Sequence, residues 1–420
     1  MCMRARSPVP TSRGSEVELL SPASLAEAAD CVRAARDARA PLEIMGAATK
    51  RGFGRPVDAV RQLTTAAMSG ILSYHPEELI LVARAGTRMA EINAVLAEKG
   101  QHLAFEPPDF ADLYPGGDVT GAEGTLGGVI SCNLSGPRRL VAGAARDHFL
   151  GFTAVNGVGE IFKGGGPVVK NVTGYDLPKL MAGAFGTLAL MDELTVKTMP
   201  RPEKTRTALF YGLDALAANA AMTRALGGTY EVTGAAFLPE VMAQLSDVER
   251  VGMKGSVTAL RIEGSGPAVA HHCARLRADL GGASDELHST NSHAFWREVK
   301  NATRFLDDDA ILWRVSVPPS EGAKIVAGYG IDLQGCNFFL DWGGGLIWLS
   351  LPATGGAHAQ EVRAALQKSG GHATLVRAPE AERRKVGVFE VEGSRALVAR
   401  VKQAFDPDCM LNPGRMVEGL

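Results

Sequence analysis

Apolar positions change period several times along the chain, and each change marks an element. Leu25, Ala28, Ala29, Val32 and Ala35 recur at helical spacing behind a Ser24-Leu-Ala-Glu27 capping box, which predicts a helix up to Pro41. Leu42 to Met45 then reads as a short strand running directly into Gly46-Ala-Ala-Thr-Lys-Arg-Gly-Phe-Gly54. Glu78 to Ala85 has the pattern of a buried strand; Gly86 breaks it, and Thr87 is placed to cap a helix carrying Met89, Ile92, Val95 and Leu96 to a stop at Gly100. Phe149 to Val155 and Glu160 to Lys163 flank Asn156-Gly157-Val-Gly159, whose Asn-Gly step predicts a hairpin with a type I′ turn. Asp176 can cap a short helix over Leu177 to Ala182, and Leu188 to Thr198 alternates as a half-buried strand ended by Pro200-Arg-Pro202.

Beyond that proline pair the pattern changes, and a domain boundary is predicted there. An Ala-rich helix (Leu213 to Leu226), strands at Thr258 to Glu263 and Gly345 to Leu351, and a helix from Pro267 to Leu280 predict a second α+β unit, a small antiparallel sheet with helices on one side. An amphipathic helix, Ser394 to Phe405, leads into Asp406-Pro-Asp-Cys-Met-Leu-Asn-Pro-Gly-Arg415.

Composition narrows the chemistry. The chain has 420 residues, 46% hydrophobic and 21% charged, with a net charge of −2, so it is long enough for two domains and offers no polyanion-binding surface; nucleic acid is not an expected partner. Glycine is in excess, 49 of 420, and the excess gathers up to Gly186 and around Gly343. Between Gly164 and Pro200 three glycine steps admit the backbone geometry and close approach that suit a flat, bulky ligand. In Gly46 to Gly54, free N–H groups, a hydroxyl and the cations Lys50 and Arg51 follow a strand end, which is what a pyrophosphate requires; an ordinary turn with solvated cations reads equally well. Gly124-Thr125-Leu-Gly127-Gly128 opens a helix either against a ligand or against the core. The six cysteines are scattered, no secretory signal pattern follows the N-terminus, and no window reaches the length of a membrane span, so a reducing, cytoplasmic setting is expected.

The order of Gly46-Ala-Ala-Thr-Lys50, Pro107-Pro-Asp109, Thr125-Leu-Gly-Gly128, Arg146-Asp-His148, Val169-Lys-Asn-Val-Thr-Gly-Tyr-Asp-Leu177, Gly183-Ala-Phe-Gly-Thr-Leu188 and Leu411-Asn-Pro-Gly-Arg415 resembles the vanillyl-alcohol oxidase/p-cresol methylhydroxylase (PCMH) flavoproteins. Within them the chain is most similar to the FAD-binding E subunits of bacterial glycolate oxidases. The resemblance implies an α+β fold: a PCMH-type FAD-binding domain of two α+β subdomains (16–202) after a flexible N-terminus (1–15), an α+β cap with an antiparallel sheet (203–385), and a C-terminal segment (386–420) returning to the FAD domain. It implies that Gly46, Ala47, Ala48, Thr49 and Lys50 hold the pyrophosphate. Pro108, Thr125, Gly127, Gly128, Gly183, Gly186, Thr187 and Leu188 would lie along the flavin and ribityl chain, with Asn412 near the ring. Arg146 and Asp147 read as a buried structural ion pair or a cofactor contact.

Departures from the family bear on mechanism. The places of the covalent FAD attachments hold Thr49-Lys50 and Gly121-Ala-Glu-Gly124, so FAD is expected to be non-covalent. The H-x6-H metal motif of related 2-hydroxyacid dehydrogenases is absent, and no metal is expected. Removing hydride from a 2-hydroxyacid needs a base and a cation for the carboxylate; Arg314, on the strand Ile311 to Val317, is the candidate cation, or else an exposed strand arginine, and no base is nominated. By resemblance the chain is an FAD-containing subunit of a complex that oxidises glycolate or another 2-hydroxyacid such as D-lactate in glyoxylate metabolism. Its partners would be a larger FAD-containing glycolate oxidase subunit and an iron-sulfur subunit, which would hold it peripherally at the inner membrane. The competing readings are a non-catalytic assembly or electron-relay subunit and a stand-alone alcohol oxidase.

Overall fold

The computed structural model describes residues 18–114, 123–166, 174–306, 310–329, 335–390 and 392–420. The expectations for the N-terminal 17 residues, for Gly121-Ala122 and for 167–173 of the Gly164 to Pro200 stretch lie outside the described residues.

The first half begins with a parallel sheet in which β1 (Glu18–Leu20) and β2 (Leu42–Met45) flank β3 (Arg61–Thr64). The helix Leu25–Asp37 packs Ala28, Ala29, Val32 and Ala35 against Leu42 and Leu63, the face its spacing predicts. Ser24 Oγ accepts from Glu27 N at 3.2 Å and so caps it. The next strands are β4 (Ile71–His75), β5 (Ile80–Arg84), the two-residue β6 (Gln101–His102), β7 (Phe149–Asn156), β8 (Ile161–Gly165), β9 (Ala189–Lys197) and β10 (Met199–Pro200). Five of them form an antiparallel sheet, β4-β5-β9-β7-β8, while β6 pairs with β10.

Two local expectations fail for identifiable reasons. Thr87 does not cap the helix Met89–Glu98: its Oγ1 is taken by Gly70 and by Arg84 O, which fasten the loop between strands, and Arg88 occupies the cap position. The β7–β8 hairpin forms, but not through a type I′ turn. Positive φ falls on Gly159 rather than on Asn156 or Gly157, because Asn156 Oδ1 accepts from Val158 N and Glu160 N and sets a wider turn.

The second half is one antiparallel sheet. Its strands are β11 (Lys204–Tyr211), β12 (Val232–Leu238), β13 (Val257–Gly264), β14 (Ser284–His288), β15 (Ile311–Ser316), β16 (Asn337–Asp341), β17 (Leu346–Leu351) and β18 (His372–Arg377), in the order β14-β11-β13-β12-β16-β17-β15-β18. Helices cover both faces, not one. Ala215–Leu226, Gly266–Leu280 and Ala359–Leu366 pack on one side. Ser289–Asn301 packs on the other, together with Phe53, Phe110, Leu134 and Phe185 from the first half. The central strand β13 explains this: Val257 to Glu263 are all buried, including Thr258, Arg261 and Glu263, so neither side faces water.

At the seam between the halves, Glu106 and Arg138 of the first meet Arg261 and Glu263 of the second. Arg261 donates from both terminal nitrogens to the Glu106 carboxylate (2.9 and 2.9 Å), and Arg138 is bidentate to Glu263 (2.9 and 2.7 Å). Burial alone would raise the Glu106 carboxyl, but Arg261 and Arg138 hold it below the usual carboxylate range; Glu263 is likewise depressed. Every charge in this quartet has an opposite partner.

The chain ends by returning to its first sheet. Leu42 N donates to Met410 O (2.8 Å) and Asn412 N to Leu42 O (3.0 Å), so the Leu411 segment extends the β2 edge. Lys402 of the helix Arg395–Phe405 fixes this return by donating to Thr187 O, Leu411 O and the Asp406 carboxylate.

Candidate functional site

The loop leaving β2 lines a cavity of about 100 Å³ with Thr125, Gly127, Gly128, Gly186 and Asn412. Two hydrogen bonds close the loop, Arg51 N to Ala48 O (3.1 Å) and Phe53 N to Lys50 O (3.0 Å), and Ala48 takes positive φ. Among the described residues, the amides of Ala47, Ala48, Thr49 and Lys50 donate to no acceptor. Gly46 is required sterically, since a Cβ there would overlap Thr125 Oγ1.

The two loop cations part company. Arg51 is bidentate to Glu43 (2.9 and 2.6 Å) and half exposed, hence already neutralised. Lys50 is buried, and its only hydrogen-bond partner among the described residues is Thr49 Oγ1 at 3.2 Å; burial lowers its ammonium pKa. Arg415, whose Nη2 donates to Lys50 O (2.9 Å), is a second buried cation in the wall and is also lowered by burial. The sequence motif contained Arg415, but nothing in its local pattern separated it from a solvated C-terminal arginine.

The helix Leu126–Ser131 combines the two readings of its glycines, packing at its start and cavity wall along its backbone. Leu126 N donates to Thr87 O, Gly127 N to Ala85 O and Gly128 N to Thr125 Oγ1, so this end is committed to packing while the missing side chains of Gly127 and Gly128 let the backbone form the wall. Asn412 likewise braces the wall: its Oδ1 accepts from Ile44 N (2.7 Å) and its Nδ2 donates to Phe185 O (2.8 Å).

Of the Gly183 to Leu188 segment, only Phe185 and Gly186 reach this cavity. Gly183, Thr187 and Leu188 line a separate apolar cavity of about 290 Å³ against Leu397, Val398 and Val401 of the C-terminal helix. Alternating backbone conformations at Gly183, Phe185 and Gly186, all with positive φ, send neighbouring residues to opposite sides. Arg146 and Asp147 form no buried pair; they are half exposed, 3.9 Å apart, and Asp147 Oδ2 accepts from Ala144 N.

A second polar cavity, about 260 Å³, adjoins the first through their shared wall residue Lys50. Pro108 lies here, with Asp109 and Glu123 from the first half and Arg297, Lys300 and Asn301 from the helix Ser289–Asn301 of the second. Asn301 Oδ1 accepts from Asp109 N at 3.0 Å and ties the two halves together. Lys300 has no hydrogen-bond partner among the described residues, and burial lowers its pKa despite Glu106 and Asp109 nearby. Arg314 lines neither cavity. It lies over the Trp342 ring, 4.7 Å from the centroid, so the second half's cations facing cavity space beside the loop are Lys300 and Arg297. Sequence reasoning missed Lys300 and Arg297, which are brought in from a distant helix.

Free amides, a Cβ-free approach and two unpaired buried cations fit a diphosphate bridge, and a polar chamber next to it that draws on both halves fits a cofactor whose reactive end lies under the second half. Residues 18–165 match the family model described as FAD binding domain. Glycolate oxidase subunit GlcE of Escherichia coli (strain K12) is 30% identical over 388 residues, covering 90% of this chain and 93% of that protein. Glycolate oxidase subunit GlcD of Bacillus subtilis (strain 168) is 29% identical over 415 residues, covering 90% and 84%. Among solved structures, p-cresol methylhydroxylase superposes with a TM-score of 0.68 at 13% identity, over 95% of this chain and 88% of that one, which shows a common fold.

Proposed function

Because the chain belongs to the PCMH-type FAD-binding family, in the branch of glycolate oxidase subunit GlcE, we propose that it is the FAD-carrying subunit of a 2-hydroxyacid-oxidising complex. The substrate is glycolate or a close relative such as D-lactate, and electrons leave through a larger flavin subunit and an iron-sulfur subunit. FAD, held without a covalent bond, supplies a ring that accepts a hydride. The observation that carries the reading is the β2 loop, with four uncommitted amides and the unpaired Lys50 and Arg415 around one cavity.

In this reading Ala47 to Lys50 bind the diphosphate, and Gly46 and Gly186 let the loop and wall close on Thr125 and Asn412, which a Cβ at either position would strike. Lys300 and Arg297 face the adjoining chamber and orient the substrate carboxylate, the role the sequence suggested for Arg314. A half-buried lysine with no hydrogen-bond or ion-pair partner among the described residues gains one when a carboxylate enters, and the pairing is strongest where water is excluded.

The test uses the purified FAD-loaded chain. FAD released on unfolding, without proteolysis, supports non-covalent binding. Anaerobic glycolate or D-lactate should bleach the flavin if this chain's own site oxidises substrate. A spectrum that bleaches only after the partner subunits are added would instead assign the chain to electron relay, and a chain that retains no FAD would sink the proposal.

A further inference from the structure

Arg139 and Arg314 approach one indole from opposite halves of the chain. Arg139 begins the short helix Arg139–Ala142 of the first half and Arg314 lies on β15; their guanidinium carbons are 4.4 and 4.7 Å from the Trp342 ring centroid. Trp342 is itself tied across the seam, its Nε1 donating to Gly136 O at 3.1 Å. Around this pair stand Arg146, Asp147, Asp341, His372 and Glu390. The acids are engaged elsewhere: Asp341 Oδ1 accepts from Trp342 N (2.7 Å), Asp147 Oδ2 from Ala144 N (2.9 Å) and Glu390 Oε2 from Ala373 N (3.2 Å).

Neither guanidinium makes a hydrogen bond or ion pair with a described residue. Other sequestered arginines do find such partners: Arg304 holds Glu298, Arg84 holds Asp192 and Arg261 holds Glu106. The indole attracts each cation but does not neutralise it. Burial and then Arg139 bring Arg314 down to about 10, and burial and then Arg146 lower Arg139. Two planar forks with five donors each are therefore left without acceptors among the described residues, at a place where the two halves meet.

We infer that Arg139, Arg314 and Trp342 form a site for a small dianionic oxyanion, a dicarboxylate or a phosphate, bound across the seam and distinct from the two cavities around Lys50. Such an anion would be gripped by one arginine from each half, so its binding would fasten the second half over the first.

The test is thermal unfolding of the FAD-loaded protein, titrated separately with inorganic phosphate and with oxalate at an ionic strength held constant by chloride. A saturable rise in Tm with either anion is expected, and whichever of the two acts names the class of ligand. Arg139→Gln and Arg314→Gln should each raise the half-saturating concentration about tenfold or more, and the double variant should not respond. Without anion, each glutamine variant should melt no lower than the parent, because repulsion between like charges has been relieved. An equal response in the double variant, or no saturable response in the parent, would overturn the site. Loss of FAD from either single variant would also overturn it and give the arginine to the cofactor. Should the glutamine variants fail to fold, Arg139→Lys and Arg314→Lys keep the charge but lose the fork: a weaker saturable response supports the site, and an unchanged one refutes it.

Discussion

The seam and the β2-loop cavity both bury charge, and they handle it in opposite ways. At the seam, Glu106, Arg138, Arg261 and Glu263 close on one another with bidentate geometry, and Thr233 and Thr205 fill remaining acceptor positions on Glu263. In the cavity, Lys50 has a single hydroxyl partner and Arg415 a backbone carbonyl. A buried pair is self-sufficient, whereas a buried lone cation is a standing cost in the empty protein that an incoming anion removes. The contrast separates groups that hold the molecule together from groups that hold something else.

Breaking the paired side should have the largest effect. Arg261→Met leaves two carboxylates facing each other with one guanidinium between them, and denaturant unfolding should show a loss of about 3–5 kcal/mol. Asp341 provides the next test, through pH. Burial raises its pKa from 3.8 to about 7, so between those values the folded carboxyl keeps a proton that the unfolded chain has released. Stability from this group is present at low pH, falls as pH rises through that window, and stays reduced above it. Asp341→Asn keeps an acceptor for Trp342 N and removes the titration; it should match the parent near the low end of the window and exceed it by about 2–4 kcal/mol above it.

The unpaired side should respond with opposite signs in its two states. Lys50→Met should raise the Tm of the apoprotein and weaken FAD binding by about 1.5–3 kcal/mol, measured by flavin fluorescence titration; a fall in both would return Lys50 to the structural class. The smallest effect is expected from Arg51→Gln, whose half-exposed pair with Glu43 is worth about 1 kcal/mol or less, with FAD affinity little changed. A large loss of affinity there would erase the distinction between the two loop cations.

The cavity was legible in the sequence where its chemistry is local. A strand followed at once by Gly46-Ala-Ala-Thr-Lys50 puts amides and a cation at one strand end whatever the rest of the chain does, and Thr125 to Gly128 likewise form a short helix start beside it. What was not legible depends on which way a side chain turns, or on residues far apart in sequence. Lys50 and Arg51 are adjacent and equivalent as letters, yet only Arg51 finds Glu43. Gly183, Thr187 and Leu188 belong to a glycine-rich turn with two sides, and composition does not say which side faces the β2-loop cavity. Lys300 enters from a helix on the other half, and no periodicity within that helix sets it apart from a surface lysine. The two-sided cover of the eight-stranded sheet was hidden because buried Arg261 and Glu263 look like a polar, solvent-facing alternation on β13.

The return of Leu411 and Asn412 to the edge of β2 also fixes an order of events in time. The loop that follows β2 leaves the ribosome long before the segment bracing it, and before Arg415 in its wall. At about 5–20 residues per second the two are separated by roughly 20–75 s. During that interval the nascent chain has only part of the cavity wall, so tight capture of a ligand there would wait until the Leu411 to Arg415 segment has emerged.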